Sequence, residues 1–77
     1  MYEIIGIEHR QYTNKAGRQV SGYNLYAAWE QKNVNGRACM REWVSDDVME
    51  TSGVTIGDKA DILYNRYGRV EAIKPVG

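Results

Sequence analysis

In residues 22–30, GYNLYAAWE, side chains of two kinds alternate along the chain. One set consists of Tyr23, Leu25, Ala27 and Trp29, and the other of Asn24, Tyr26, Ala28 and Glu30. A period of two is the pattern of a half-buried β-strand, because successive strand residues point to opposite faces of a sheet. The stretch therefore predicts a strand.

Four more strands are predicted around this one, at residues 2–12, 37–45, 59–64 and 69–74. Polar segments that contain glycine separate the strands and predict turns. In the first strand, Gly6 predicts a bulge or a sharp bend. Ile5 and Ile7 are expected to share one face of that strand, with Ile4 on the other face.

A short helix is predicted between the third and fourth strands. Ser45, Asp46 and Asp47 supply a capping side chain and an acidic first turn, and Gly53 supplies a stop. Five strands with one helical turn in this place predict a single all-β domain over residues 1–77. The expected architecture is a small, five-stranded, partly open barrel of the OB-like kind, with an SH3-like barrel as the alternative.

Composition limits what can hold this domain together. The chain has one cysteine, Cys39, so no disulfide can form within it, and Cys39 and His9 are too few soft ligands for a zinc site. We expect neither a metal nor a cofactor. A chain of 77 residues has a thin core, so a homodimer is the expected source of further stability. The N-terminus is unlike a signal peptide and no apolar run approaches membrane-spanning length, which predicts a cytoplasmic protein with no membrane contact.

The sequence offers no recognisable catalytic group. Its glycines do not cluster ahead of a helix as a phosphate loop would require. Cys39 lies in mid-strand, where a cysteine is usually a small core residue, and Asp46 and Asp47 suit a helix start. We therefore predict a binding protein with no catalytic residues. No internal repeat, low-complexity tract or linker is evident.

Positive and negative charges occupy different parts of the chain, although ten basic and ten acidic residues cancel overall. Residues 9–41 contain six Lys or Arg and one Glu, whereas residues 42–61 contain six acidic residues and one Lys. Such segregation is expected either of a polar molecule with one basic face or of a solvated surface on which charges cluster by chance.

Aromatic and basic residues are interleaved in two places. The chain has six Tyr, two Trp and no Phe. The first cluster comprises Lys15, Arg18, Tyr23 and Tyr26, and the second comprises Tyr64, Arg66, Tyr67 and Arg69. Single-stranded nucleic acid is bound by this combination, since cations follow the phosphates and aromatic faces stack on bases.

The aromatic residues are expected to differ in role. Tyr67 lies in a predicted turn, where there is little core for its ring to pack into. Tyr26 lies on the strand face opposite Leu25. Both are therefore expected at the surface. Tyr23 shares the face of Leu25 and is expected in the core on pattern alone. The two tryptophans, Trp29 and Trp43, are predicted to lie in the core or at a subunit interface.

The order of these parts resembles the helix-destabilising single-stranded DNA-binding proteins of filamentous phages, the gene V type. The similarity rests on the polar loop with Gly17, the run SGYNL at residues 21–25 and the hairpin YNRYGRV at residues 64–70. It implies an OB-like barrel, a two-fold dimer and binding along single-stranded DNA with little sequence preference. By position, it also implies binding roles for Arg18, Tyr23, Tyr26, Arg66 and Tyr67.

The chain is also similar to small uncharacterised proteins carried by phages and integrative elements of Gram-positive bacteria. Together these features predict a non-enzymatic single-stranded DNA-binding protein of a phage or mobile element. The alternative is a protein-interaction module that docks on a host or phage protein. Neutral net charge and the acidic segment 42–61 favour this alternative, as do the many Tyr and Trp residues, because interfaces are enriched in them.

Overall fold

Five antiparallel strands form one sheet in the computed structural model, which describes residues 1–76. The elements are β1 (Tyr2–Thr13), β2 (Gln19–Trp29), β3 (Ala38–Ser45), α1 (Asp46–Ser52), β4 (Lys59–Tyr64) and β5 (Val70–Pro75). Their order in the sheet is β3-β2-β1-β4-β5. The predicted all-β class, the five strands and the position of the helix are thereby confirmed.

The sheet curls into a partly open barrel around β1. This strand pairs with β2 over ten positions, from Glu3 to Thr13, but with β4 only at Tyr2 and Glu3. Two backbone bonds extend the second pairing, because Ile4 N–H donates to Asp58 O and Ile4 O accepts from Gly57 N–H, each at 2.8 Å. Within residues 1–76 the end strands β3 and β5 come near each other without pairing, so one side stays open.

A β-bulge at Ile5 changes the predicted faces of the first strand. Ile4 lies opposite Ala27 and Gly6 lies opposite Tyr26, so Ile5 is an extra residue without a partner on β2. An extra residue reverses the alternation of side chains between the two faces of the sheet. Ile4 and Ile7 therefore both face the core, while Ile5 is exposed. The bulge next to Gly6 was predicted, but the pairing of Ile5 with Ile7 on one face was wrong.

The core lies between the curled sheet and α1. Ile4, Leu25 and Val44, one from each of β1, β2 and β3, are fully buried. The other members are Ala27, Met49, Val54, Ala60, Ile62, Val70 and Ile73. Burying such side chains contributes about 1.5–3 kcal/mol for each large one.

Sequence-encoded signals fix both ends of α1. The Oγ of Ser45 accepts a hydrogen bond from Val48 N–H at 3.4 Å, and Asp46 and Asp47 place negative charge in the first turn. Gly53 ends the helix with a left-handed φ of 67°, which costs a glycine little. Met49 is the one residue of this helix that is fully part of the core, so α1 acts as a cover over one end of the barrel.

One tyrosine spans the open side of the barrel. The hydroxyl of Tyr64, at the end of β4, donates towards Glu42 Oε1 at 3.4 Å and lies 3.6 Å from Met40 Sδ. Met40 and Glu42 belong to β3, at the far end of the sheet. Burial, followed by the negative charge of Glu42, raises the pKa of Tyr64 above its usual 10.0.

Alkaline pH should therefore destabilise the protein through Tyr64. The folded state favours the neutral phenol, so this stabilisation is complete below pH 10.0 and is lost as the pH rises through the higher folded pKa. The urea midpoint of wild type should fall between about pH 8 and pH 11 by more than that of Tyr64→Phe. Tyr67→Phe, which alters an exposed phenol, is the control and should behave as wild type. Equal losses in wild type and Tyr64→Phe would contradict the prediction.

Candidate nucleic-acid interface

The face of β1, β2 and β3 that points away from the core is lined by aromatic and polar side chains; we call it the outer face. Residues directly opposite each other in a sheet share a face, so the strand register identifies its members. Three cross-strand rows make it up: Gly6, Tyr26 and Arg41; Glu8, Asn24 and Trp43; and Arg10, Gly22 and Ser45. Tyr12 and Val20 form a fourth row at the end of the β1–β2 hairpin.

Trp43 is the centre of the outer face. A Cβ added to Gly22 would lie 2.4 Å from Cζ2 of Trp43, so the indole rests directly on the backbone of Gly22. The ring of Tyr12 meets the indole in an edge-on arrangement with centroids 6.1 Å apart. Trp43 still exposes 40% of its surface. The result is an exposed indole whose ring is packed against the backbone of a glycine and against the ring of a tyrosine.

Tyr26 covers a glycine in the same way, closer to the β1 bulge. A Cβ on Gly6 would lie 3.1 Å from Cδ2 of Tyr26, so this ring lies over the backbone of β1. Arg41 is its direct partner on β3. Tyr26 is half-buried rather than freely exposed. Its predicted place on the face opposite Leu25 is confirmed.

Two hairpins end in turns of the same construction. We call residues 14–18, NKAGR, the first tip and residues 65–69, NRYGR, the second tip. In the first, Asn14 Oδ1 accepts from the amides of Ala16 and Arg18, both at 3.0 Å. In the second, Asn65 Oδ1 accepts from the amides of Tyr67 and Arg69, at 2.9 and 3.1 Å.

The backbone of the two tips agrees as closely as the side-chain bonds do. The Asn amide donates to the Arg carbonyl at 2.9 Å in the first tip and 2.8 Å in the second, and the Gly amide donates to the Asn carbonyl at 3.0 Å in both. Gly17 and Gly68 have φ values of 78° and 77°, in the left-handed region that favours glycine. The sequence analysis found no internal repeat, and the structure adds that one five-residue turn occurs twice.

The second tip carries an aromatic residue that the first lacks. Tyr67 exposes 71% of its surface. Arg66 Nη2 donates to the Tyr67 hydroxyl at 2.7 Å, and the guanidinium carbon lies 4.9 Å from the ring centroid. A cation–π contact of this kind contributes about 0.5–1 kcal/mol at an exposed site. Tyr67 thus lies on the surface and outside the core, as the sequence predicted.

A crevice connects the second tip to the outer face. It is lined by Glu42, Trp43, Ser45, Gly68, Arg69 and Val70. Arg69 and Trp43 thus border the same depression, and the ring of Tyr12, two residues before the first tip, also contacts Trp43. Trp43 therefore contacts the β1–β2 hairpin and shares a crevice with the second tip.

The cations of this surface are available for binding. In the described part of the chain, five of them form no ion pair: Lys15, Arg18, Arg41, Arg66 and Arg69. Other basic residues are neutralised, since Arg37 pairs with Glu3 at 2.7 Å and with Glu30 at 3.4 Å, and Arg10 lies 3.6 Å from Glu8. The predicted excess of positive charge in residues 9–41 is therefore reduced at Arg10 and Arg37 and retained at the first tip, at Lys32 and at Arg41.

Not all the predicted site residues meet on this surface. Lys15 and Arg18 lie on the first tip, and Arg66, Tyr67 and Arg69 lie on the second. Tyr23 is half-buried on the inner face, where it packs against the core and its ring lies 4.8 Å from that of His9. The pattern-based expectation for Tyr23 is confirmed, and Tyr26 and Tyr23 lie on opposite faces of β2.

Three residues of the outer face escaped the sequence analysis. Trp43 was assigned to the core or a subunit interface, and Tyr12 and Arg41 were not singled out. The register between β2 and β3 is the signal that places Trp43 and Arg41 outside, because it pairs them with Asn24 and Tyr26 rather than with Leu25. Trp29 does lie on the inner side, in edge-on contact with Tyr2 at 5.4 Å.

A serine, a histidine and an aspartate meet near the start of α1. His9 Nε2 lies 3.2 Å from Ser21 Oγ and 3.6 Å from Asp46 Oδ1. Both oxygens lie near the same ring nitrogen, Nε2. In a Ser–His–Asp relay, by contrast, the serine and the aspartate each contact a different ring nitrogen. The cluster joins β1, β2 and α1.

Residues 1–76 contain no group of three or more His, Cys, Asp or Glu residues that could hold a metal ion. They also include no helix with the length and apolar character needed to cross a membrane.

Comparison with family models, curated proteins and solved structures found no match to this chain. The similarity to gene V proteins thus stays a prediction from the residues.

Proposed function

We propose that this protein is a non-enzymatic single-stranded DNA-binding protein that uses its outer face and its two hairpin tips. The observation that carries the proposal is Trp43, an exposed indole that rests on Gly22, contacts the ring of Tyr12 and lines a crevice with Arg69. OB-like barrels bind oligonucleotides on the face of strands 2 and 3 and with the loops between strands 1 and 2 and between strands 4 and 5. Those elements are β2, β3 and the two tips.

In the proposed complex, bases stack on Trp43 and Tyr67 while the unpaired cations follow the phosphates. Each stacked base contributes about 1–3 kcal/mol and is accepted whatever its identity, because every base has a π-face. The outer face has few polar groups that are free to read base edges, since Asn24 is engaged by Glu8 at 3.0 Å. Binding should therefore show little sequence preference.

Salt titration is the direct test of the proposal. Five unpaired cations predict that log K falls with log[salt] with a slope of about −3.5, or roughly 0.7 for each phosphate contact. The affinity for oligo-dT should then drop about 100-fold between roughly 50 and 200 mM salt. Absence of binding at about 50 mM salt by folded protein at micromolar concentration would overturn the proposal, because the electrostatic attraction is strongest there.

Tryptophan fluorescence should locate the stacked base. In Trp29→Phe the only indole left is Trp43, and oligo-dT should still quench its emission. In Trp43→Phe the only indole left is Trp29, on the inner face, and quenching should disappear. Trp43→Ala should weaken binding by about 1–3 kcal/mol. Quenching that persists in Trp43→Phe would contradict the assignment of Trp43.

A second function, docking on another protein, is favoured by a crevice between α1 and β5. It is lined by Asp47, Val48, Thr51, Ser52, Glu71, Ala72, Ile73 and Lys74. Two acidic side chains border apolar Val48 and Ala72, a combination that suits a basic, partly apolar segment of a host or phage protein. Retention of a specific protein after nuclease treatment would support this function, and its loss in Asp47→Lys would place the contact there.

The phage or mobile-element origin and the homodimer stay predictions of the sequence. A dimer could be formed through β3 or β5, because both are end strands of an open sheet.

A further inference from the structure

We propose that the two tips are equivalent phosphodiester-binding sites that hold one single strand at two points. The inference rests on the proposed function, which needs cations along the strand but does not require the two hairpins to act alike. It assigns the same role to residues that are 51 positions apart in the chain, such as Asn14 and Asn65.

The common construction of the tips supports equivalent roles. In each tip the asparagine side chain holds the amides two and four residues ahead, and a left-handed glycine completes the turn. The second and fifth residues of each tip are basic: Lys15 and Arg18 in one, Arg66 and Arg69 in the other. A rigid turn presents such cations at a reduced entropy cost on binding.

The charge of the tips points to phosphate. Neither five-residue unit contains an acidic residue, and all four cations are without ion pairs in residues 1–76. Arg and Lys are the side chains that most often contact phosphate oxygens, with Arg able to form two parallel hydrogen bonds. The turns leave little apolar surface for another kind of ligand, apart from Tyr67.

The position of Trp43 makes one extended ligand the natural partner of both tips. Arg69 of the second tip borders the crevice beside Trp43, and the ring of Tyr12, two residues before the first tip, contacts the same indole. A single strand can place phosphates at both tips and a base on the indole, so the ligand class is a phosphodiester chain, which DNA and RNA both supply.

Paired variants test the equivalence. Lys15→Gln/Arg18→Gln and Arg66→Gln/Arg69→Gln should each reduce the steepness of the salt slope by about 1.4, and the quadruple variant should reduce it by about 2.8. Lys32→Gln/Lys74→Gln is the matched control: it also removes two cations, but neither lies in a tip, and the slope should match wild type. Thermal unfolding of every variant verifies that the barrel is intact.

Different probes separate this inference from the proposed function. Equal losses on oligo-dT and oligo-U would support a phosphodiester site shared by DNA and RNA, whereas losses on one polymer only would overturn it. A slope that changes in one tip variant and not in the other would overturn equivalence while leaving single-strand binding in place. Linear polyphosphate, which has no bases, should bind weakly with the same dependence on both tips. If neither oligo-dT nor oligo-U binds, the inference and the proposed function are both rejected, whether or not polyphosphate binds.

Discussion

Replacing Leu25 with alanine should lower the free energy of unfolding by about 2–5 kcal/mol. Leu25 is fully buried in the middle of β2, opposite Ile7 on one side and Glu42 on the other. The substitution removes buried apolar contacts and leaves a cavity that the strands can close only partly. A domain of this length has a total stability of roughly 4–12 kcal/mol, so the variant should lose a large fraction of its stability. Urea denaturation followed by circular dichroism measures the change.

Ile56→Ala is the matched control for this experiment. It shortens an aliphatic side chain of the same size, but Ile56 is 60% exposed in the turn before β4. Surface substitutions of this kind change stability by about 0.5 kcal/mol or less. If Leu25→Ala and Ile56→Ala were equally mild, the core would not be where the structure has it.

Gly22→Ala should be the second large effect, with a loss of about 1–3 kcal/mol in stability. The added Cβ would lie 2.4 and 2.8 Å from two atoms of the Trp43 indole and 2.9 Å from the carbonyl oxygen of Val44. Because the last atom belongs to the backbone, a side-chain movement alone cannot relieve the overlap. The indole should be displaced, with a change in near-UV circular dichroism and weaker binding of oligo-dT.

A double-mutant cycle separates the two sources of this loss. Trp43→Ala removes the ring, so Gly22→Ala should cost less in that background, with a coupling energy of about 0.5–3 kcal/mol. The remaining cost comes from the carbonyl of Val44. Gly6→Ala is a graded comparison, because its nearest neighbour would be Tyr26 at 3.1 Å, and it should be milder. Additive losses at Gly22 and Trp43 would contradict the packing described here.

Most of the fold could be predicted from local signals. Period-two alternation placed β2, glycine and asparagine marked the turns, and Ser45 and Gly53 bounded α1. The inner and outer assignments on β1 could not be predicted in the same way. A bulge adds one residue and reverses the alternation, so Ile4, Ile5 and Ile7 could not be assigned to faces from their spacing.

The binding surface was harder to predict than the fold. The basic tips and Tyr67 were found because turns leave few structural roles for such residues. Trp43 was missed because its face depends on the register between β2 and β3, which is a property of two strands rather than of either sequence. The repeated tip was missed because only Asn, Gly and Arg are identical in a unit of five residues. Its significance comes from hydrogen bonds that a sequence does not display.

The short pairing between β1 and β4 has a consequence for the order of folding. In the β1–β2–β3 meander, strands that follow each other in the sequence pair with each other. Pairing of β1 with β4 instead brings Tyr2 against Ala60, which is separated from it by most of the chain. Closing a loop of that size costs entropy before any contact is gained, so the meander is expected to form early and the β4–β5 hairpin to dock late. The folding chain would then form its first tip before its second. A barrel that assembles in this order completes its pair of tips only when its last hairpin has docked.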